Sequence, residues 1–398
     1  MTHNTRRAFV TNAALTVFGI GSAPAWLTRA AYAGTPGKKV LVAIFQRGAM
    51  DGLSAVVPYG EKQYTELRPT LAIPRDTLID LDGFFGMHPA LKPLEPLWSA
   101  KQLAAIHATG SPDPTRSHFD AQDFMESGTP GRKSTRDGWL NRAMGQKSSP
   151  SPIRAISMGG TLARSLRGPN SAVAVNTISS FKVRDNAQAE FMSMYSESAD
   201  TVLKGTGKDT FEALKLLESI NKSKAASGAT YPNTRLGQSL EQIATLIKAD
   251  AGLEVAFADT LGWDTHTGQA PRLQALLADL ANSLAAFHQD LGAKMANVTV
   301  VSMSEFGRTA RENGNRGTDH GHANVMFALG ADVDGGKVLG RWPGLEIEQL
   351  HERRDLAVTT DFRDVLAAAV QHHSAAADLE KIFPGHTAKP LHFFRPMQ

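Results

Sequence analysis

The chain has 398 residues, with 42 Lys and Arg against 39 Asp and Glu. It contains no cysteine, which excludes disulfides, thiolate nucleophiles and cysteine-bound metals. Three of the basic residues (Arg6, Arg7 and Arg29) and none of the acidic ones fall in the first 33 positions. The remainder therefore carries 39 of each sign and has no electrostatic footprint for nucleic acid.

Those first positions read as a targeting segment. Thr5-Arg6-Arg7-Ala8-Phe9-Val10 is a twin-arginine pattern, an apolar run follows from Ala13 to Leu27, and Ala31-Tyr32-Ala33 supplies a small-x-small cleavage site before Gly34. The run is too short and too rich in Gly and Pro for a bilayer span, which takes about 20 apolar residues. The expectation is a twin-arginine (Tat) signal over 1–33. It would be read by the Tat translocase, deliver the protein to the periplasm or the exterior, and leave no stable membrane anchor.

Residues 34–398 are expected to form one α/β domain. Lys39 to Phe45 is a continuous apolar run of the kind found in parallel sheets. Asp51 follows it between Gly48 and Gly52, placed either to reach a cation or to make an ordinary Asp-Gly turn. A helix is expected from Ala90 to Leu97, then a second strand from Leu103 to His107. The loop beyond it carries Pro112 and Pro114 and leads into a helix near Ser117. Ser117 reads either as a metal-activated nucleophile or as an N-cap, with Asp120 completing something close to a capping box. Arg116 either grips a tetrahedral anion or pairs with Asp120. His118 is a ligand, a general acid or a solvated histidine. The polar stretch 176–231 is expected to be a helical insertion or cap.

Two helix–strand pairs follow. Leu236, Leu240, Ile243 and Ile247 lead into a strand at Val255 to Ala258, and Leu273, Leu277, Leu280, Leu284 and Leu291 lead into Val298 to Ser302. Such alternation predicts a sheet with helices on both faces. The loops after these strands carry the polar chemistry. Asp264 and His266 lie between Gly262 and Gly268, Glu305 sits just past the last strand, and Asp319, His320 and His322 crowd into Gly317 to His322. Ligands collect at the carboxyl ends of strands, and carboxylates with imidazoles form the usual set for divalent metals. Each Asp-x-His alone also reads as an N-cap beside a surface histidine. Together, Asp51, Asp264, His266, Glu305, Asp319, His320 and His322 are the expected metal ligands, with at least five around one cavity.

The ordered set Phe45 to Leu53, Arg116 to Gln122, Asp264-Thr265-His266, Ser304 to Thr309 and Gly317 to His322 resembles the Tat-exported family called domain of unknown function 1501. That family is grouped with the alkaline phosphatase and sulfatase superfamily. The resemblance implies an alkaline-phosphatase-like central mixed, mostly parallel sheet and a two-metal site. It also implies a hydroxyl or formylglycine nucleophile at a helix start, and hydrolysis of phosphate or sulfate esters. Carried over by position, Asp51 matches the first-strand metal carboxylate and Ser117 the nucleophile. Asp264 and His266 match one metal's pair, and Asp319-His320-Gly321-His322 matches an Asp-His-x-His motif. Two departures stand out: Glu305, not Asp319, holds the strand-end position, and Pro112 to Arg116 lacks the Cys or Ser of a formylglycine motif. The implied function is an exported hydrolase of a small-molecule or polysaccharide phosphate or sulfate ester, using zinc, manganese, magnesium or calcium. The alternatives are a non-catalytic binding or assembly protein with a structural metal, or a phosphomutase or transferase on the same scaffold.

Overall fold

The computed structural model describes residues 39–145, 151–180, 201–222 and 227–395. The expected signal at 1–33 and part of the expected insertion, 181–200 and 223–226, lie outside the described residues. Nine strands form the main sheet. In chain order they are β1 (Val40–Gln46), β2 (Leu103–Gly110), β3 (Ala155–Met158), β4 (Val173–Val175), β5 (Val255–Thr260), β6 (Val298–Met303), β7 (Asn324–Gly330), β8 (Lys337–Leu339) and β9 (Thr360–Asp361). The spatial order is β8-β2-β7-β6-β1-β5-β3-β4, with β9 also paired to β2. β7 runs antiparallel to both of its neighbours. The other pairings are parallel. The fold is therefore α/β with a mixed, mostly parallel sheet.

β1 shows why the sheet is buried on both sides. Its residues alternate between two cores, as the two-residue period of a strand requires. Val40, Val42 and Ile44 join the core formed with Leu240 of α3 (Arg235–Lys248) and with Leu277 and Leu284 of α4 (Gln269–Leu291). Leu41, Ala43 and Phe45 join the opposite core with Val365 and Leu366 of α5 (Phe362–His373). Each fully buried leucine or valine contributes roughly 1.5–3 kcal/mol through burial, so the pattern that forms the strand also fixes helices to both faces. In the described part of the expected insertion, α2 (Thr201–Lys222) packs Leu216, Leu217 and Ile220 into the first core.

One expected helix is corrected. Pro89–Leu94 is a 3-10 helix, followed by a short α-helix over Glu95–Ser99. Pro93 and Pro96 remove backbone donors that a continuous helix from 90 to 97 needs. Among the described residues no helix is long and apolar enough to cross a membrane.

The parallel strands β2, β6, β1 and β5 present their carboxyl ends at one edge. The antiparallel β7 presents its amino end there, so the residues just before Asn324 reach the same edge. That arrangement brings together loops as far apart in the chain as Gly48 and Arg308, 260 positions from each other.

Candidate metal centre

The loop after β2 ends at α1 (His118–Ser127), whose N-cap is Ser117. His118 therefore stands at the first position of a helix, aimed across the sheet edge. The loop after β5 carries Asp264 and His266, and the segment before β7 carries Asp319 and His320. Two glycines let these loops touch. A Cβ on Gly317 would lie 2.2 Å from the His266 carbonyl oxygen, and one on Gly321 would lie 2.3 Å from the Arg308 carbonyl carbon. Phe306, buried, lies against His118 and His320 with tilted rings at centroid distances of 4.9 and 5.1 Å.

Three imidazoles converge through Nε2. His320 Nε2 lies 3.0 Å from His118 Nε2 and 2.9 Å from His266 Nε2. Asp264 Oδ1 lies 3.0 Å from His266 Nε2, 3.3 Å from His320 Nε2 and 3.5 Å from His118 Nε2. Ligand atoms of His118, Asp264 and His320 all fall within 4.8 Å of one another.

The opposite ring nitrogens fix the tautomers. His118 Nδ1 is 2.8 Å from Glu305 Oε1, His266 Nδ1 is 2.9 Å from Asp319 Oδ1, and His320 Nδ1 is 2.9 Å from the Arg116 carbonyl. Carboxylates and carbonyls accept, so each Nδ1 carries a proton, and a ring that holds only that proton turns its Nε2 lone pair inward. Three lone pairs and a carboxylate oxygen then face one point. That arrangement repels itself until a cation lies among the four atoms. Imidazoles whose far nitrogen is held by a carboxylate or carbonyl are the recurring outer support of metal sites, and three nitrogens with one oxygen suit a zinc-like ion. The residues present fit a divalent metal.

The electrostatics agree. Burial pulls the Asp264 carboxyl upward, but the hydrogen bond and charge of the Arg308 guanidinium outweigh it and hold Asp264 below the usual range. Arg308 is buried and donates to Asp264 Oδ1 at 2.5 Å, with its other donors on the carbonyls of Gly48, Ala49, Trp263 and Thr318. Glu305 is lowered despite burial, chiefly by the hydrogen bond from His118. The hydrogen bond from His266 lowers Asp319. His118 is raised, first by the Glu305 hydrogen bond, whereas burial lowers His320.

Of the seven expected ligands, the structure gathers Asp264, His266 and His320 at the centre and adds His118. Glu305 and Asp319 stand one layer back. Glu305 accepts from Gly48 N, His118 and Gln122, each at 2.8 Å, and from Ser304 Oγ at 3.0 Å. Asp319 accepts from His266 and from Asn313 Nδ2 at 3.1 Å. Asp51 and His322 are placed elsewhere. Asp51 is enclosed by Arg68, Ser54 and Gln269. His322 turns Nε2 to the Ser111 carbonyl at 3.0 Å, and its ring lies 4.4 Å from that of His351.

Arg116 differs from the anion-gripping expectation. Its guanidinium is engaged by Asp355 Oδ2 at 2.5 Å and Glu352 Oε2 at 2.7 Å. What it offers the centre is its carbonyl. Ser117 is exposed, and its Oγ accepts from Asp120 N at 3.5 Å. Sequence reasoning assigned no role to Arg308, Gln122 or Arg68. Arg308 had a signal, being a cation three residues past Glu305 in the same strand-end loop. Gln122 and Arg68 had none.

The chain matches the family described as "Protein of unknown function (DUF1501)" over residues 38–382 and belongs to it. No curated protein matches. Among solved structures, it is similar to the C-terminal periplasmic domain of EcEptC from Escherichia coli in complex with Zn. The identity is 12 %, with 75 % of this chain and 74 % of that chain covered and a TM-score of 0.33. It is also similar to alkaline phosphatase from the Antarctic bacterium TAB5, at 12 % identity, with 75 % of this chain and 93 % of that chain covered and a TM-score of 0.32.

Proposed function

We propose that the protein is an exported, metal-dependent hydrolase of a phosphate or sulfate ester. One observation carries the reading: three Nε2 lone pairs and Asp264 Oδ1 face one point while every Nδ1 is anchored from behind. A divalent cation bound there supplies Lewis acidity toward an ester oxygen and acidifies a water or hydroxyl. Glu305, Asp319 and the Arg116 carbonyl hold the three rings in register, and Arg308 keeps Asp264 ionised. The side chains of Asp264, His266 and Asp319 are 45 %, 40 % and 50 % exposed, so a substrate reaches the centre from solvent. Four protein donors fill a tetrahedral shell, so hydrolysis at this centre would require the ion to take a fifth, solvent-facing ligand, as catalytic zinc does when it expands its coordination. Ser117 is the nucleophile in this reading, an exposed hydroxyl directly before His118 at a helix start. The twin-arginine pattern of Thr5 to Val10 supports export to the periplasm or the exterior.

One observation favours the second reading, a non-catalytic protein with a structural metal: the Arg116 fork is occupied by two carboxylates. Elemental analysis of purified protein, followed by an aryl phosphate and aryl sulfate screen, separates the two. The hydrolase reading expects turnover that chelation removes and added metal restores, and expects Ser117→Ala to abolish it while keeping the metal. Bound metal with no turnover of either ester supports the second reading. If Ser117 is only an N-cap, Ser117→Ala costs roughly 0.5–2 kcal/mol of stability and leaves the rate unchanged.

A further inference from the structure

We propose that each chain holds one divalent cation rather than two, and that the buried Arg68 guanidinium is the permanent cation of Asp51. The inference rests on reading the imidazole cluster as a metal centre.

The closure of Asp51 carries it. Four hydrogen bonds reach this buried carboxylate, three on Oδ2 and one on Oδ1. Arg68 Nη1 donates to Oδ2 at 2.6 Å and Nη2 to Oδ1 at 3.0 Å, while Ser54 Oγ and Gln269 Nε2 donate to Oδ2 at 2.7 and 2.5 Å. Both members of the pair are fully buried. The other Arg68 donors end on the Ala310 carbonyl at 2.9 Å, the Thr309 carbonyl at 2.8 Å and Ser54 Oγ at 2.9 Å. A metal at Asp51 would have to share a dry position with a guanidinium that has no route to solvent. Two like charges in such surroundings repel strongly.

Charge balance at the centre agrees. Asp264, Glu305 and Asp319 bring three negative charges and Arg308 one positive, so a single divalent ion brings the group to neutrality. A second would leave two positive charges uncompensated beside buried Arg308.

Beside the pair, Gln269 donates to Asp51 and accepts through Oε1 from Thr265 Oγ1 at 2.9 Å and Thr318 Oγ1 at 2.5 Å. Thr265 adjoins Asp264 and His266, and Thr318 adjoins Asp319, so it is Gln269 that ties together the two loops that carry the centre.

The test is the zinc count of the full purified chain, stripped with chelator and titrated with zinc chloride, read by calorimetry and by elemental analysis after dialysis. The expected result is one equivalent for the native protein and one for the charge-cancelling double variant Asp51→Asn/Arg68→Gln. His320→Ala should bind none. Two equivalents in the native protein, or loss of zinc from a folded double variant, overturn the proposal while leaving the metal centre standing. No zinc in the native protein overturns both. If the double variant fails to fold, the native count still decides.

Discussion

Two carboxylates follow glycine-hinged turns at the same edge of the sheet, and their surroundings are opposite. Asp51 is wholly enclosed, its oxygens engaged by a buried arginine, a serine and a glutamine. Asp264 is nearly half exposed and shares its oxygen with one arginine and three inward-facing imidazoles. The first arrangement is electrostatically complete, whereas the second still calls for positive charge. Position at a strand end does not make a carboxylate a ligand. Which donors already occupy its lone pairs decides that.

The sharpest way to break this comparison is to remove each carboxylate's charge and measure stability and metal separately. Asp51→Asn leaves the Arg68 charge buried and uncompensated, and breaking such a pair costs about 3–5 kcal/mol. Denaturant unfolding should show that loss, with zinc still bound by the folded fraction. His320→Ala should act the other way. It abolishes zinc binding and, with it, the drop in melting temperature on chelation that a metal bound only by the folded state produces. If Asp51→Asn lost zinc without losing stability, the two regions would have exchanged roles.

A smaller effect sharpens the distinction between the rings and their supports. Glu305→Gln and Asp319→Asn keep the shape but weaken the grip on His118 and His266. Outer-layer changes of this kind lower metal affinity roughly 10–100-fold, so both variants should bind zinc more weakly yet still bind it. Calorimetry that found native affinity in both would remove them from the centre.

A third effect, outside the centre, concerns acid. Burial pushes His107 in β2 from 6.5 down to about 4, and His88 and His373 are likewise pushed to about 4. The folded state keeps these rings neutral, whereas the unfolded chain takes up protons once pH falls below 6.5. Their stabilisation is therefore present above pH 6.5 and is lost as pH drops toward 4, by up to ~3 kcal/mol for a fully buried ring. His107→Gln should flatten the dependence of unfolding free energy on pH in that window by about one proton. An unchanged slope would mean that His107 takes up a proton while folded.

Much of the fold is legible in the chain. The runs at Val40, Leu103, Val255 and Val298 are strands because continuous apolar stretches survive only between two layers, and the heptad-like leucines of α3 and α4 mark the helices beside them. β7 escaped notice because its apolar run follows directly on the Asp-His loop. Its antiparallel direction is a property of pairing that no local pattern records. At the site, the Asp-x-His and Asp-His-x-His spacings drew attention to the right loops. They could not tell His320, which turns inward, from His322 two positions on, which turns to the Ser111 carbonyl. Nor could they show that Arg68, 17 positions beyond Asp51, folds back to close that carboxylate. Alternation and spacing reveal elements and loops. The partner of each polar atom is decided by tertiary contact.

The central claim is the location of the cation, and anomalous diffraction at the zinc edge from crystals grown with zinc tests it most directly. The account predicts one strong peak per chain, about 2.0–2.2 Å from Nε2 of His118, His266 and His320 and from an oxygen of Asp264. A peak against Asp51 or His322, or none among the three imidazoles, would contradict it.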